Sequence, residues 1–222
     1  MSRPAITPQL VESRLVAILR ARDAEGFVET AGLLARSGVT CIEFTLTTRG
    51  AVEALGAAAG RLPAGTSLGA GTVLDADTAH AAIDAGAAFL VSPAVCTDVI
   101  EAGLARGVPT YPGAWTPTEV LTAWRAGAAA VKLFPASMGG PEYLQQLRAP
   151  LPDIPLIPTG GVTIESAVSY VRAGAIAVGV GSALTRRLNA DDAEVVPHLV
   201  RDLADAATSD RQPAGASGDG RT

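Results

Sequence analysis

The sequence predicts an α/β protein, a single-domain (β/α)8 or TIM barrel with a short N-terminal helix. Three observations predict it: a length of 222 residues, a hydrophobic fraction of 48%, and apolar stretches that alternate with helix-like segments. At roughly 100–200 residues per domain, this length suits one domain with a sizeable core. We expect the barrel to span residues 1–208 and a disordered tail rich in Gly, Ser and Asp to span 209–222.

A short repeat gives this alternation its period. Five times a helix-like segment ends in a small residue plus Gly and runs into an apolar stretch, at Gly38, Gly86, Gly107, Gly127 and Gly174. The intervals are 48, 21, 20 and 47 residues, so single and double steps share one unit. We expect each Gly to end a helix just before the next strand.

Each of the two long intervals, of 48 and 47 residues, contains one further apolar segment, and counting these segments as strands gives eight strands in all. They are expected at residues 15–20, 39–46, 66–72, 88–92, 109–112, 129–134, 155–159 and 175–180. Alternating strands and helices imply that neighbouring strands pair in parallel and are joined by right-handed crossovers. Eight such strand–helix units form a closed barrel. The helix under the barrel floor is expected at 5–14 and the last helix at 190–208. An open doubly wound sheet is the alternative, but no Gly-rich turn follows the first strand at 20–23.

Composition excludes several functions. The net charge of −5 argues against a nucleic-acid partner. No apolar run has membrane length and the first residues lack a signal-peptide pattern, so we expect a cytoplasmic protein with no membrane partner. Cys41 and Cys96 are too few for a disulfide framework, and we expect both to be reduced. His80 and His198 lack metal-ligand spacing, so no metal and no cofactor are expected.

The chain contains a single lysine, Lys132, among 17 basic residues. Side chains alternate along the predicted sixth strand, which turns Lys132 and Phe134 toward the barrel axis and Leu133 toward the helices. Desolvation there lowers the pKa of an ammonium group, and the resulting amine forms a Schiff base with a carbonyl substrate. The alternative is a lysine that pairs with a carboxylate or extends to the rim, a role for which Arg serves equally well.

A second charged residue, Glu43, interrupts an apolar strand. Ile42, Phe44 and Leu46 form one face of this strand, so Glu43 lies on the other, inside the barrel, where we expect it to face Lys132. Carboxylates are rarely buried unless they are paired or hydrogen-bonded. Glu43 is therefore either half of a salt bridge that holds the core or a proton shuttle for imine and enamine steps, and we favour the shuttle.

Two Gly-rich turns follow the predicted seventh and eighth strands, PTGGV at 158–162 and GVGSA at 179–183. Loops at these positions commonly bind phosphate in this fold, because backbone N–H groups and a helix dipole converge there. We expect an anion site, in which Gly181 belongs to the second turn and Ser182 adds a hydroxyl and caps a helix. Simple tight turns are the alternative.

Three further residues lie at the same end of the expected barrel. Arg20 closes the first strand and is suited to clamp a carboxylate, to which Thr72 in GAGTV at 69–73 donates a hydrogen bond. A surface Arg and a turn Thr are the alternatives. Pro93 follows the fourth strand and is expected to shape its loop.

Four motifs, in order and register, closely resemble the class I aldolases of the 2-keto-3-deoxy-6-phosphogluconate (KDPG) and 4-hydroxy-2-oxoglutarate (KHG) family. They are IEFTL at 42–46, GAGTVL at 69–74, VKLFPA at 131–136 and TGGV at 159–162. Each motif alone is common, whereas the ordered set is specific. The resemblance covers about residues 10 to 205.

The resemblance implies a metal-independent cleavage of KDPG to pyruvate and glyceraldehyde 3-phosphate, as in the Entner–Doudoroff pathway, by a homotrimer of barrels. It makes Lys132 the Schiff-base lysine and Glu43 the general acid/base that serves it. It places Thr72 on the pyruvate carboxylate, and Phe134 and Pro93 in the pocket wall. The residues that it places near the phosphate-bearing end of the substrate are Thr159, Gly160, Gly161 and Ser182.

One position departs from the family's pattern. Many members carry Arg two residues after the Thr of the second-strand motif, where this chain has Thr47, and the next arginine is Arg49. We therefore expect Arg20 to hold the substrate carboxylate, with Arg49 as the alternative. The departure leaves the substrate open between KDPG, its galactonate-derived epimer KDPGal, and unphosphorylated KHG.

Two functions of other classes compete with an aldolase. A phosphate-binding barrel that catalyses isomerisation or synthase chemistry would use Lys132 only as a phosphate or salt-bridge partner. A non-catalytic binding scaffold has no need to desolvate an isolated Lys and a facing Glu. Reduction with borohydride discriminates, because only an imine traps pyruvate covalently.

Overall fold

A computed structural model of the chain describes residues 2–188 and 194–209 as an α/β fold. The elements, in chain order, are α1 (Pro8–Ser13), β1 (Leu15–Leu19), α2 (Phe27–Arg36), β2 (Cys41–Thr45), α3 (Ala51–Ala58), β3 (Ser67–Gly71), α4 (Ala76–Asp84), β4 (Leu90–Val91), α5 (Thr97–Arg106), β5 (Thr110–Tyr111), β6 (Gly113–Ala114), α6 (Pro117–Ala126), β7 (Val131–Leu133), α7 (Gly140–Arg148), β8 (Leu156–Pro158), α8 (Ile164–Arg172), β9 (Val178–Val180), α9 (Ser182–Leu188) and α10 (Val195–Ser209). The expected tail begins at the last residue of α10, and its residues 210–222 lie outside the described part of the chain.

The strands pair in parallel throughout the described residues, in two sheets. Six strands follow the order β5-β4-β3-β2-β1-β9, and the other three follow β6-β7-β8. Backbone contacts also connect the sheets: the Ala129 N–H donates to the Thr110 carbonyl, the Ile176 N–H donates to the Leu156 carbonyl, and Thr159 forms a parallel bridge with Gly179. Neighbours in space are almost all neighbours in the chain, without the reversal of order that defines a doubly wound sheet.

All eight expected strands overlap observed ones, but the fifth, expected as one strand at 109–112, is divided. Pro112 interrupts it because a proline has no N–H to donate to a ladder. Before the proline, β5 pairs with β4, and after it β6 pairs with β7. The Pro112 carbonyl still accepts a hydrogen bond from the Lys132 N–H, at 2.9 Å. This segment therefore passes from one sheet to the other.

The helix ends follow the repeat found in the sequence. The five repeat glycines have φ values between 67° and 107°, the left-handed region that stops a helix at little steric cost. The first helix is shorter than expected, because Pro8 stands at its start. The last helix, expected at 190–208, begins only at Val195, and a separate short helix, α9, precedes it.

Strand alternation produces two apolar clusters. The larger one packs the outward faces of the strands, such as Ile42 and Leu133, against the helices. The smaller one lies on the opposite faces and is built from strand residues such as Phe89 and Tyr111, with Leu10 of α1 at one end. Glu43 and Lys132 alternate with the outward residues, so they share the side of the smaller cluster, as the sequence predicted. No helix in the described ranges has both the length and the apolar character of a membrane span.

We expect Tyr111→Phe to lower the free energy of unfolding by about 1–3 kcal/mol, because it removes a hydrogen bond in a buried place. The Tyr111 hydroxyl accepts from the Thr7 N–H at 3.2 Å and also contacts the Thr7 hydroxyl at 3.2 Å. Both residues are buried, so the Thr7 N–H loses its partner. Urea unfolding followed by circular dichroism measures the loss. Tyr143→Phe is the control, since its hydroxyl bonds Trp115 in a half-buried place; equal stability of Tyr111→Phe and the unaltered chain would contradict the argument.

Candidate active site

A cavity of about 370 Å³ opens at the carboxyl ends of the strands. Its walls come from the ends of β1, β2 and β7, from the loops after β8 and β9, and from α9. Nine of the eleven site residues expected from the sequence line it: Arg20, Glu43, Lys132, Phe134, Thr159, Gly160, Gly161, Gly181 and Ser182. Alternation along the strands thus brings residues that are far apart in the chain into one pocket.

The two ionisable residues at the base of this cavity are almost inaccessible to solvent. Glu43 is 2% exposed and Lys132 is 6% exposed. Neither belongs to a direct ion pair within the described ranges, so the expected alternative of a core salt bridge is absent there. They act on each other through space, as two buried groups of opposite charge.

Burial sets the protonation of this pair. It raises the pKa of Glu43, while Lys132 and Arg20 partly offset that rise. It lowers the pKa of Lys132, an effect that Glu43 opposes and Arg20 reinforces. Burial therefore raises the share of neutral amine on Lys132 and of protonated carboxyl group on Glu43, while the attraction between the two groups opposes both shifts.

Gly71 makes room for the Glu43 carboxyl group. It lies in β3, the neighbour of β2, and a Cβ atom placed there would overlap the carboxyl atoms of Glu43. Gly69 plays the same part for the Phe89 ring in the cluster below. Two glycines in one strand thus leave the space that a bulky inward residue of each neighbouring strand fills.

Phe134 and Thr159 line the cavity together with Lys132. The Lys132 Nζ lies 4.8 Å from the centre of the Phe134 ring, and that ring packs against Gly160, which has a φ of 87°. Thr159 is 5% exposed and packs against Gly179, where a side chain would collide with its hydroxyl. The Lys132 amine therefore lies over an aromatic wall of the cavity, to which Thr159 also contributes.

Of the two arginines that the sequence offers for the substrate carboxylate, Arg20 lines this cavity and Arg49 does not. The Arg20 Nη2 donates to the Thr72 hydroxyl at 3.3 Å, which ties Thr72 to the site although Thr72 itself does not line the cavity. Thr72 has a φ of 61°, rare for a β-branched residue. Arg49 is 79% exposed at its side chain and lies 4.0 Å from Asp23. The structure thus favours Arg20 for an anionic group near the lysine.

Two expectations are corrected here. Pro93 is outside the cavity lining, and its carbonyl packs instead against Gly113 in the strand after Pro112. Ser182 is the first residue of α9 and not its cap, because the Gly181 carbonyl accepts the first helical hydrogen bond, from the Leu184 N–H at 2.9 Å.

The cavity also contains residues that the sequence reasoning missed. Ile18, Thr163, Thr185 and Arg186 line it, together with Gly179 and Ala183. Arg186 follows Ser182 by four residues, a spacing that places both on one helix face and could have revealed it. Among the described residues, no group of three or more His, Cys, Asp or Glu is arranged to hold a metal ion.

Comparison with known proteins agrees with this geometry. Residues 6–199 match the family described as KDPG and KHG aldolase. This chain belongs to that family. A probable 2-dehydro-3-deoxy-6-phosphogalactonate aldolase of Rhizobium meliloti is 38% identical over 188 residues, which cover 83% of this chain and 86% of the relative.

A second relative and a solved structure name the gluconate substrate. The 2-dehydro-3-deoxy-phosphogluconate aldolase of Pseudomonas aeruginosa is 35% identical over 161 residues, which cover 72% of this chain and 73% of the relative. The KDPG aldolase of Legionella pneumophila, solved with pyruvate captured as a covalent carbinolamine, has a TM-score of 0.77 and 25% identity, covering 88% of this chain and 96% of that one. The family therefore fixes an aldolase and leaves the substrate open between KDPG, KDPGal and KHG.

We expect Gly71→Ala to destabilise the fold by about 1–3 kcal/mol, because the added methyl group competes with Glu43 for space. The same substitution in a Glu43→Ala background should cost less, and the difference between the two costs measures the coupling. Gly56→Ala is the control, since the nearest atom to its new Cβ is 3.9 Å away and Gly56 is helical. Equal costs of Gly71→Ala in both backgrounds would contradict the packing.

The pKa of Lys132 is directly measurable, because the chain has no other lysine. After reductive methylation with labelled formaldehyde, NMR titration should give a midpoint below the usual lysine value of about 10.4. Glu43→Gln should lower the midpoint further, because it removes the carboxylate that stabilises the charged amine. Arg20→Gln should raise it, because it removes a like charge. A midpoint at the usual value, unmoved by either substitution, would refute the assigned electrostatics.

Proposed function

We propose that this chain is a class I aldolase that cleaves KDPG to pyruvate and glyceraldehyde 3-phosphate through a Schiff base on Lys132. One observation carries the proposal: the chain's single lysine is buried beside Glu43 at the base of the cavity. Burial favours the neutral amine, the form that attacks a carbonyl carbon. Membership of an aldolase family supplies the reaction class.

The reaction would proceed in steps that balance protons between the two residues. The Lys132 amine adds to the C2 ketone to give a carbinolamine, and the Glu43 carboxyl group donates its proton to the departing hydroxyl. Loss of water leaves a Glu43 carboxylate and a protonated imine, which withdraws electrons from C3. Glu43 accepts the proton of the C4 hydroxyl, the C3–C4 bond breaks, and the aldehyde leaves an enamine. Glu43 returns this proton to C3 of the enamine, and water hydrolyses the resulting imine, which releases pyruvate, restores the Lys132 amine and leaves Glu43 protonated again. The carbinolamine in the Legionella pneumophila enzyme is an intermediate of this kind.

The remaining residues would orient the substrate. Arg20, held by Thr72, is placed to bind the C1 carboxylate, and Phe134 to form the wall beside the imine. The phosphate-bearing end would lie against the other side of the cavity, at Thr159, Gly160, Gly161, Gly181 and Ser182. Pro93 would shape the loop after β4 without lining the cavity.

The substrate assignment has alternatives within the same chemistry. Relatives named for the galactonate epimer and for KDPG are similarly close, so KDPGal and unphosphorylated KHG stay in the panel to be assayed. An isomerase or synthase that uses Lys132 only as a charge is the alternative from another class. Family membership favours the lyase.

Two structural proposals accompany this function. The contacts between the two sheets, at Ala129 and Thr159, support their closure into one eight-unit barrel. The family resemblance implies a homotrimer, and the exposure of Leu74 (55%) and Met138 (74%) is consistent with a subunit contact. The cytoplasmic location expected from the sequence stays a prediction.

Incubation with pyruvate and sodium borohydride should attach one reduced pyruvate to Lys132, located by peptide mass spectrometry. Lys132→Ala should abolish cleavage while leaving the circular dichroism spectrum unchanged. Lys132→Arg is the matched control, since it keeps the charge but cannot form the imine. Absence of an adduct on the folded protein, or near-normal cleavage by Lys132→Ala, would refute the proposal. Pyruvate release from KDPG, KDPGal and KHG then ranks the substrates.

A further inference from the structure

The first turns of α9 present three hydrogen-bonding side chains to the cavity. Ser182, Thr185 and Arg186 all line it, and spacings of three and four residues place them on one helix face. The next residue, Arg187, points elsewhere, with its Nη2 3.7 Å from the Glu165 carboxylate of α8. Of two adjacent arginines, the helix thus directs one to a neighbouring helix and the other to the cavity.

The two arginines that line the cavity, Arg20 and Arg186, belong to different elements of the fold. Arg20 follows β1 and influences the ionisation of both Lys132 and Glu43, whereas Arg186 lies on α9, after β9. Arg186 also has no carboxylate partner in the part of the chain that the structure describes. The cavity therefore offers two guanidinium groups, one at the end of β1 and the other on α9.

This spacing of charge matches a substrate with an anion at each end. In a 2-keto acid phosphate the carboxylate adjoins the ketone carbon, and the phosphate lies at the far end of the carbon chain. Once Lys132 fixes the ketone carbon, Arg20 is near the carboxylate and Arg186 is left for the remote anion. A guanidinium binds phosphate through two parallel hydrogen bonds and adds a full positive charge, which the neutral backbone N–H groups of a turn do not carry.

We propose that Arg186 selects phosphorylated over unphosphorylated substrates by binding the phosphate group. The inference rests on the proposed function and deepens it, because it assigns the substrate class to one side chain. The Gly160 and Gly161 turn lines the same cavity, so the phosphate would lie between this turn and α9. Arg186 is a specificity residue in this account and takes no part in bond cleavage.

The decisive experiment compares Arg186→Gln with the matched control Arg187→Gln. For Arg186→Gln, kcat/KM on the phosphorylated substrate should fall about 10- to 100-fold, mainly through KM, as expected for one charge-assisted contact. Cleavage of unphosphorylated KHG should stay unchanged. Arg186→Lys should lie in between, since it keeps the charge without the paired geometry. Arg187→Gln should change neither substrate.

Two further measurements separate the ways in which the inference can fail. Inorganic phosphate should inhibit cleavage of the phosphorylated substrate competitively, and its inhibition constant should rise in Arg186→Gln alone. Borohydride trapping of pyruvate needs no phosphate and should proceed equally in all variants. An unaltered protein that neither traps pyruvate nor cleaves any substrate overturns the proposed function.

Trapping and cleavage by the unaltered protein, with the same kcat/KM and phosphate inhibition in Arg186→Gln, overturn only the role of Arg186. An equal loss on phosphorylated and unphosphorylated substrates also overturns it, because such a loss reports a structural role.

Discussion

The burial of two ionisable side chains on the inner faces of parallel strands is the constraint on which the site depends. A lone charge in such a place is strongly disfavoured, so each group is shifted toward its neutral form and stabilised by the other. The residues around the pair accommodate its burial. Gly71 leaves the volume for the carboxyl group, Phe134 covers the lysine, and Arg20 adds a positive charge at the rim. Removing any one of them changes the balance between the two protonation states.

The strand architecture makes this burial possible without disturbing the rest of the core. Successive residues of a strand face opposite sides, so Ile42 and Phe44 pack against helices while Glu43 between them faces the cavity. The smaller cluster below the pair, with Phe89 and Tyr111, closes the inner side from water. Chemistry and stability thus use alternate positions of the same strands, and each can vary with little effect on the other.

Much of this site could be predicted from the sequence, because its signals are local. The period of two along each strand placed Glu43 and Lys132 on one side, and the repeat glycines placed the strand starts. The break at Pro112 was missed because a two-residue strand on either side of a proline carries no periodicity of its own. Arg186 was missed because an arginine on a short helix is ordinarily a solvated charge, and only the packing of α9 on the cavity reveals its direction.

Other expectations failed for a different physical reason. Pro93 was assigned by resemblance alone, and a loop residue's position depends on contacts such as that with Gly113, which no local pattern encodes. The sequence alone could not distinguish Arg20 from Arg49 either, because both arginines follow strands and only the folded structure gives their contacts. Their partners, Thr72 and Asp23, decide between them.

The single lysine has a consequence for the rest of the molecular surface. Of the 17 Lys and Arg residues, 16 are arginines, so the solvent-facing side-chain cations are guanidinium groups that stay protonated at all physiological pH values. A protonated guanidinium is a poor nucleophile toward aldehydes and ketones. An aldolase that releases a reactive aldehyde would therefore carry no ε-amine outside its own cavity for the product to glycate. Such a surface also offers no lysine ε-amine for acetylation.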